Sequence, residues 1–183
     1  MLGKTHRAFA FATSAAVLVA VHSGIQTEEI ALGHSLLLQT ALHTGAILSS
    51  TAPDIDQGFG LGQHRGISHS IWIVLLLAYI TYRIQAINAY VYVFGVGCVI
   101  GYLSHLIGDA FSIAGIAWFY PIQRYERYAS GAFYVKGFRG PFIPLYHVGD
   151  KTFSFMPILW WMIGCGLWIA AIWQIFNRCV ITW

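Results

Sequence analysis

The sequence predicts an all-α, polytopic membrane protein with about five helical spans. Hydrophobic residues make up 57% of the 183 residues, whereas soluble domains average about 45–50%. Charged residues make up only 9%, against a usual share of about 25%. A soluble domain of this size needs more polar surface than this. The composition therefore excludes a soluble globular protein, a disordered tail and a collagen-like chain.

The predicted helices follow five apolar segments. The first and third are short for a hydrocarbon core of about 30 Å. The third and fourth meet at Asn88 as a tight helical hairpin, and Gly97 and Gly101 form a GxxxG step that predicts close helix packing. The chain is predicted to be one membrane-embedded domain over residues 1–183. The spans are placed near residues 8–21, 30–50, 71–87, 89–111 and 155–176.

The polar segments 51–70 and 112–152 lie between these spans, and the second is predicted to hold a small hairpin around Ser130–Gly131. Five spans place both segments and the N-terminus on one side. Eight of the ten Lys and Arg residues fall on that side, and only Arg83 and Arg178 fall on the other. The positive-inside rule predicts that this side is cytoplasmic in a bacterial-type inner membrane. The net charge of +3 is too small to suggest nucleic-acid binding.

Seven histidines and aspartates fall at that same predicted face. His105 and Asp109 are spaced i,i+4, so one turn of helix brings an imidazole and a carboxylate to one face. Asp54 and Asp56 are close enough to repel each other unless a cation lies between them. The predicted metal ligands are His6, Asp54, Asp56, His64, His69, His105 and Asp109.

Each motif has a simpler interpretation when it stands alone. A His–Asp pair can be a mere hydrogen bond, PDID a turn with a helix cap, and HRGISHS a polar loop at the membrane edge. Together they concentrate costly ionisable groups at one face, which favours a functional site. Histidine and aspartate without cysteine favour Zn²⁺ or Mn²⁺, and the residues suffice for two or more ions. The roles of His43, His147 and Asp150 stay open.

In their order along the chain these motifs resemble the YdjM-like family. The resemblance rests on His6, on PDID at 53–56, on HRGISHS at 64–70 and on GYLSHLIGD at 101–109, and it covers roughly residues 1–121. It implies a LexA-regulated, inner-membrane, metal-dependent hydrolase and leaves the substrate undefined. Members often carry a glutamate shortly after a late glycine, and none stands near Gly149 here.

The predicted function is hydrolysis of a phosphoester or phospholipid-like substrate by metal-activated water. Asp54 or Asp56 is expected to bridge the metals or accept the proton of that water, and Arg65 is expected to hold an anionic oxygen. The expected partners are the lipid bilayer and an amphipathic anionic substrate, and the oligomeric state is undefined. Two alternatives remain: a non-catalytic metal-binding scaffold with a closed coordination shell, and a metal transporter with ligands near the midplane.

Overall fold

A computed structural model describes residues 3–24, 32–55, 65–112, 114–127, 133–135 and 155–180. This part of the chain holds five α-helices, which lie on the five apolar segments of the sequence. The side chain of Asn88 caps the start of the fourth helix, because its Oδ1 accepts from the backbone N–H groups of Tyr90 and Val91. The helices are α1 Gly3–Gly24, α2 Leu32–Ser49, α3 Ile71–Ile84, α4 Ala89–Ala110 and α5 Met156–Val180.

Shorter elements join these helices. A 3₁₀ turn at Ala52–Asp54 follows α2, and a second one at Ile67–His69 precedes α3. Two short strands, β1 Tyr125–Arg127 and β2 Phe133–Val135, pair antiparallel. The pairing confirms the predicted hairpin, although Ser130 and Gly131 themselves lie outside the described residues.

Only part of the five-span prediction is confirmed. Within the described residues, α4 and the stretch Met156–Asn177 of α5 are long and apolar enough to cross a membrane, and α3 is apolar but shorter. The helices α1 and α2 carry buried polar side chains, which lower their mean hydropathy. These side chains are Thr5, His6, Ser14, Ser35, Gln39 and His43.

The predicted close packing of the GxxxG step is confirmed at the contact between α2 and α4. A Cβ atom added at Gly97 would lie 2.1 Å from the carbonyl oxygen of Leu42, and one added at Gly101 would lie 2.0 Å from that of Ala46. The hydroxyl of Ser49 also donates to the carbonyl of Cys98 at 2.8 Å. Backbone therefore meets backbone along this seam, and only glycine fits there.

The packing brings four helix ends together at one end of the bundle. They are the start of α1, the end of α2, the start of α3 and the end of α4. The phenol of Tyr102 on α4 donates to the carbonyl of Ser68, which holds the second 3₁₀ turn against the bundle. Leu106 and Ile116, both fully buried, form an apolar layer beside this turn.

Candidate metal centre

Four donor side chains converge where these helix ends meet. Asp54 closes the 3₁₀ turn after α2, and His69 closes the turn before α3. His105 and Asp109 come from the last turns of α4. One ligand atom from each of the four lies within 4.8 Å of the others, so the group can hold a metal ion.

The distances between these atoms match a small coordination shell. Bonds of about 2.0–2.2 Å to a tetrahedral ion separate neighbouring ligand atoms by about 3.3–3.6 Å. His105 Nε2 lies 3.3 Å from His69 Nε2. Asp54 Oδ1 lies 3.5 Å from His69 Nε2 and 3.6 Å from His105 Nε2. Asp109 Oδ2 lies 3.8 Å and 3.7 Å from the same two nitrogens.

Neighbouring polar groups aim the two imidazoles at the centre. His105 Nδ1 lies 2.7 Å from the carbonyl oxygen of Ser50, which only accepts hydrogen bonds, so Nδ1 carries the proton. The lone pair of Nε2 then faces His69 and the two carboxylates. His69 Nδ1 lies 3.0 Å from the hydroxyl of Ser68, which can accept from a protonated Nδ1 and then leaves Nε2 of this ring facing the centre as well. Such contacts fix the tautomer and the orientation of metal-binding histidines.

The burial and the charge of the centre favour a cation. The side chains of His69 and His105 are fully buried and that of Asp109 is 3% exposed, whereas that of Asp54 is 25% exposed. With neutral imidazoles, the carboxylates of Asp54 and Asp109 outweigh the guanidinium of Arg65 by one negative charge. Desolvated charge of this kind is costly unless an ion of opposite sign is bound.

Asp54 is ionised readily despite its partial burial. Burial opposes its ionisation, but when the two imidazoles are protonated the hydrogen bond from His69 and the charge of His105 outweigh this effect and hold the pKa of the carboxyl below its usual value. Asp54 is thus an anion that faces both the centre and the solvent.

Arg65 lies against the centre and makes three contacts with the protein. Its Nη2 lies 3.0 Å from Asp109 Oδ2. Its Nη1 donates to the Ser112 hydroxyl at 2.9 Å and to the Gly115 carbonyl at 3.1 Å. The backbone of Arg65 has a φ of 66°, in the left-handed region that side chains rarely adopt. In this structure the anion beside the guanidinium is therefore the Asp109 carboxylate.

His6 lies on the other side of Asp109. Its Nε2 is 3.4 Å from Asp109 Oδ1, and its ring stacks on that of His105. This distance is longer than a good hydrogen bond. Within the described residues, neither ring nitrogen of His6 has a hydrogen-bond partner, although the residue is only 1% exposed.

Comparison with known proteins supplies the family. Residues 1–178 match the model of the YdjM inner membrane protein family. The chain belongs to this family. No curated protein and no solved structure matches the chain. Membership confirms the resemblance drawn from the motifs, and it extends that resemblance from residue 121 to nearly the whole chain.

The structure brings some of the predicted site residues together, and others lie outside the described part of the chain. The structure brings His6, Asp54, Arg65, His69, His105 and Asp109 together. Asp56 and His64 lie outside the described residues, as do His147 and Asp150, so their predicted roles stay predictions. His43 lies inside the bundle and contacts Ser14 on α1.

Sequence reasoning missed the groups that orient the ligands. The Ser50 carbonyl gave no signal, because any residue offers a carbonyl there. Tyr125 was missed as well: its phenol accepts from the backbone N–H of Ala117 and joins the hairpin to the segment that holds Gly115. Burial raises the pKa of Tyr125 to about 12, against a smaller opposite effect of the Ala117 hydrogen bond. The phenol therefore stays neutral at physiological pH.

Proposed function

We propose that the protein is a membrane-bound, metal-dependent hydrolase that acts on a phosphoester, with a phospholipid-like molecule as the favoured substrate. One observation carries the proposal: Asp54, His69, His105 and Asp109 converge in a member of an inner-membrane family. Ionisable groups inside membrane proteins are costly and usually functional. The sulfur-free donor set suits zinc, with manganese as the alternative.

These four residues are assigned as ligands of a first ion. A divalent ion held by such groups supplies Lewis acidity and lowers the pKa of a water molecule. Asp54 is the most exposed of the four, with a side chain 25% exposed. The substrate and the attacking water therefore approach from the side of Asp54. Asp54 or Asp56 would accept the proton of that water or hold two ions together.

A second ion is assigned beside the first. The two carboxylate oxygens of Asp109 face different histidines: Oδ2 lies near His69 and His105, and Oδ1 lies 3.4 Å from His6 Nε2. If a second ion binds, the Asp109 carboxylate would be shared between the two ions, and the pair would stabilise the attacking and the leaving oxygen of the substrate. The imidazole of His6 would then supply a ligand to the second ion, and the predicted ligands His64 and Asp56 would be further candidates.

The apolar side chains beside the centre support an amphipathic substrate. Ile55, next to Asp54, is 55% exposed, and Ile67, two residues before His69, is 61% exposed. Exposed apolar groups at the rim of a polar site can contact the acyl part of a lipid while the centre binds its phosphate. The exposed Arg124 adds positive charge in the segment before the hairpin, which suits an anionic head group.

The test measures metal content and hydrolysis in the same protein. Purified protein is analysed for bound metals and assayed on phosphatidic acid vesicles and on p-nitrophenyl phosphate, before and after chelation and metal return. The proposal expects hydrolysis that chelation removes and zinc or manganese restores. His69→Ala abolishes metal binding and turnover. The matched control His34→Ala removes an exposed ring that is hydrogen-bonded to Tyr90, and it retains metal binding and turnover.

The assay also separates the alternatives. A metal-binding scaffold holds stoichiometric metal and hydrolyses neither substrate, and that result would refute the enzymatic proposal. A transporter moves the metal across sealed proteoliposomes without hydrolysis. Faster hydrolysis of the vesicles than of p-nitrophenyl phosphate supports the lipid substrate. The reverse preference supports a hydrolase but contradicts the lipid substrate.

A further inference from the structure

A second group of buried polar side chains lies inside the bundle, away from the metal centre. Its buried members are Ser14 on α1 and Gln39 and His43 on α2, and the half-buried Trp168 on α5 is hydrogen-bonded to Gln39. Ser14 follows His6 by eight residues, a rise of about 12 Å along α1. The group is therefore about two turns deeper in the bundle than the centre, between three helices.

The hydrogen bonds of this group fix the direction of each donor. The indole Nε1 of Trp168 only donates, and it donates to Gln39 Oε1 at 3.0 Å. The amide nitrogen of Gln39 therefore points the other way. The hydroxyl of Ser14 donates to the carbonyl of Phe11 at 2.9 Å, so it accepts from His43 Nδ1 at 2.8 Å. The neutral ring of His43 then presents a bare lone pair at Nε2.

A donor and an acceptor are thereby left on one face of α2. Gln39 and His43 are spaced i,i+4, so their side chains are neighbours along the helix. Gln39 is 2% exposed and His43 is 7% exposed. Within the described residues, neither Gln39 Nε2 nor His43 Nε2 has a hydrogen-bond partner. The rings of Phe11 and Trp168 surround His43, at centroid distances of 4.9 Å and 6.1 Å, and offer no acceptor or donor to its Nε2.

We propose that Gln39 and His43 bind one water molecule inside the bundle, which accepts from the Gln39 amide and donates to His43 Nε2. Buried polar groups are costly when unpaired, and a single water has both functions that this pair needs. The water completes a hydrogen-bonded chain from Trp168 through Gln39 and His43 to Ser14. This chain joins α5, α2 and α1 and fixes the position of α1, the helix that carries His6.

The experiment is NMR of full-length protein labelled with ¹⁵N-histidine and ¹⁵N-glutamine in detergent micelles. The proposal expects the His43 ring with its proton on Nδ1, an unprotonated Nε2 that accepts a hydrogen bond, and magnetisation transfer from a slowly exchanging water to the Gln39 amide. His43→Asn, which removes the Nε2 acceptor and identifies the resonance, abolishes the transfer. In Gln39→Leu, the ¹⁵N chemical shift of His43 Nε2 moves toward the value of a ring nitrogen that accepts no hydrogen bond.

Thermal unfolding adds a second readout. Gln39→Leu and Gln39→Met remove both the hydrogen bond from Trp168 and the one to the water. They therefore lower the melting temperature by more than the about 2–4 °C that corresponds to one intramembrane hydrogen bond in a chain of this size. The control Thr40→Val, which changes an exposed hydroxyl on α2 bonded to Leu36, leaves both the transfer and the His43 signal unchanged. A proton on Nε2, or no transfer from water in the wild type, would overturn the proposal. Neither result depends on metal or on hydrolysis.

Discussion

The imidazole of His6 stacks on that of His105, with ring centroids 3.8 Å apart and planes inclined by 20°. This contact ties the start of α1 to the last turns of α4. It also directs His6 Nε2 at Asp109 Oδ1, the oxygen that faces away from His69. A histidine that stands before an apolar run thus lies at the edge of the centre, beside Asp109.

His6→Phe separates ligation from stacking. Phenylalanine keeps an aromatic ring against His105 but offers no nitrogen, so one metal ion per chain is lost and turnover falls, while the melting temperature changes little. Elemental analysis and thermal unfolding of the purified variant check this. If His6 acts only through its ring, His6→Phe will retain all the metal of the wild type, and only His6→Ala will be destabilised.

The orientation in the membrane is tested at two exposed isoleucines. Ile122 is 81% exposed in the segment after α4, and Ile87 is 74% exposed between α3 and α4. A five-span topology with a cytoplasmic centre predicts that Ile122→Cys reacts with an impermeant maleimide only in inside-out vesicles and Ile87→Cys only in spheroplasts. Both are placed in a background whose three native cysteines are replaced by alanine. Labelling of both from one side would contradict that topology.

Gly97→Ala tests the seam between α2 and α4. The added Cβ would lie 2.1 Å from the Leu42 carbonyl oxygen, a backbone atom, so the helices must separate. Overpacking of this kind costs about 1–3 kcal/mol, which lowers the melting temperature by several degrees. Gly166→Ala is the matched control, because a Cβ added there meets nothing within 4 Å. It removes a helix glycine without a clash, and it should keep or raise the melting temperature. Equal melting temperatures of the two variants would show that α2 can move away from α4 at little cost in stability.

The sequence predicted the helices and the side-chain types of the centre well, for physical reasons. Apolar runs and the Asn88 cap have local causes, so they are visible without the fold. The convergence of Asp54, His69, His105 and Asp109 followed from counting helix directions, since each successive helix reverses the direction of the chain. The first helix begins at Gly3, whereas its apolar residues alone predicted a start near residue 8. The prediction was late because Thr5 and His6 are polar, yet both side chains are buried and belong to the helix.

Contacts that depend on packing were not predictable. Nothing local indicates that His105 donates to the Ser50 carbonyl, or that Ser14 pairs with His43 across 29 positions of the chain. For Arg65 the sequence indicated an anion nearby but not which one. Substrate oxygen and Asp109 satisfy the same charge argument, and only the folded end of α4 brings a carboxylate to 3.0 Å.

Arg65→Lys distinguishes these two partners. The guanidinium spans Asp109, Ser112 and Gly115 with a planar fork, and an ammonium cannot reproduce all three contacts. If Arg65 orients Asp109, lysine weakens metal binding by about 10–100-fold, as other changes behind metal ligands do. Turnover then recovers at saturating metal, and KM for the substrate stays near that of the wild type.

If Arg65 instead binds the substrate anion, metal affinity is unchanged and KM for the substrate rises. Metal titrations and steady-state kinetics at saturating metal decide between these outcomes. Arg83→Lys is the control: this arginine is exposed and donates to Tyr79 at the far end of α3, so the change should leave both quantities unaltered. Ser112→Ala removes one of the three contacts and should weaken metal binding less than Arg65→Lys does. An equal or larger loss from Ser112→Ala would mean that the serine acts on Asp109 without the arginine.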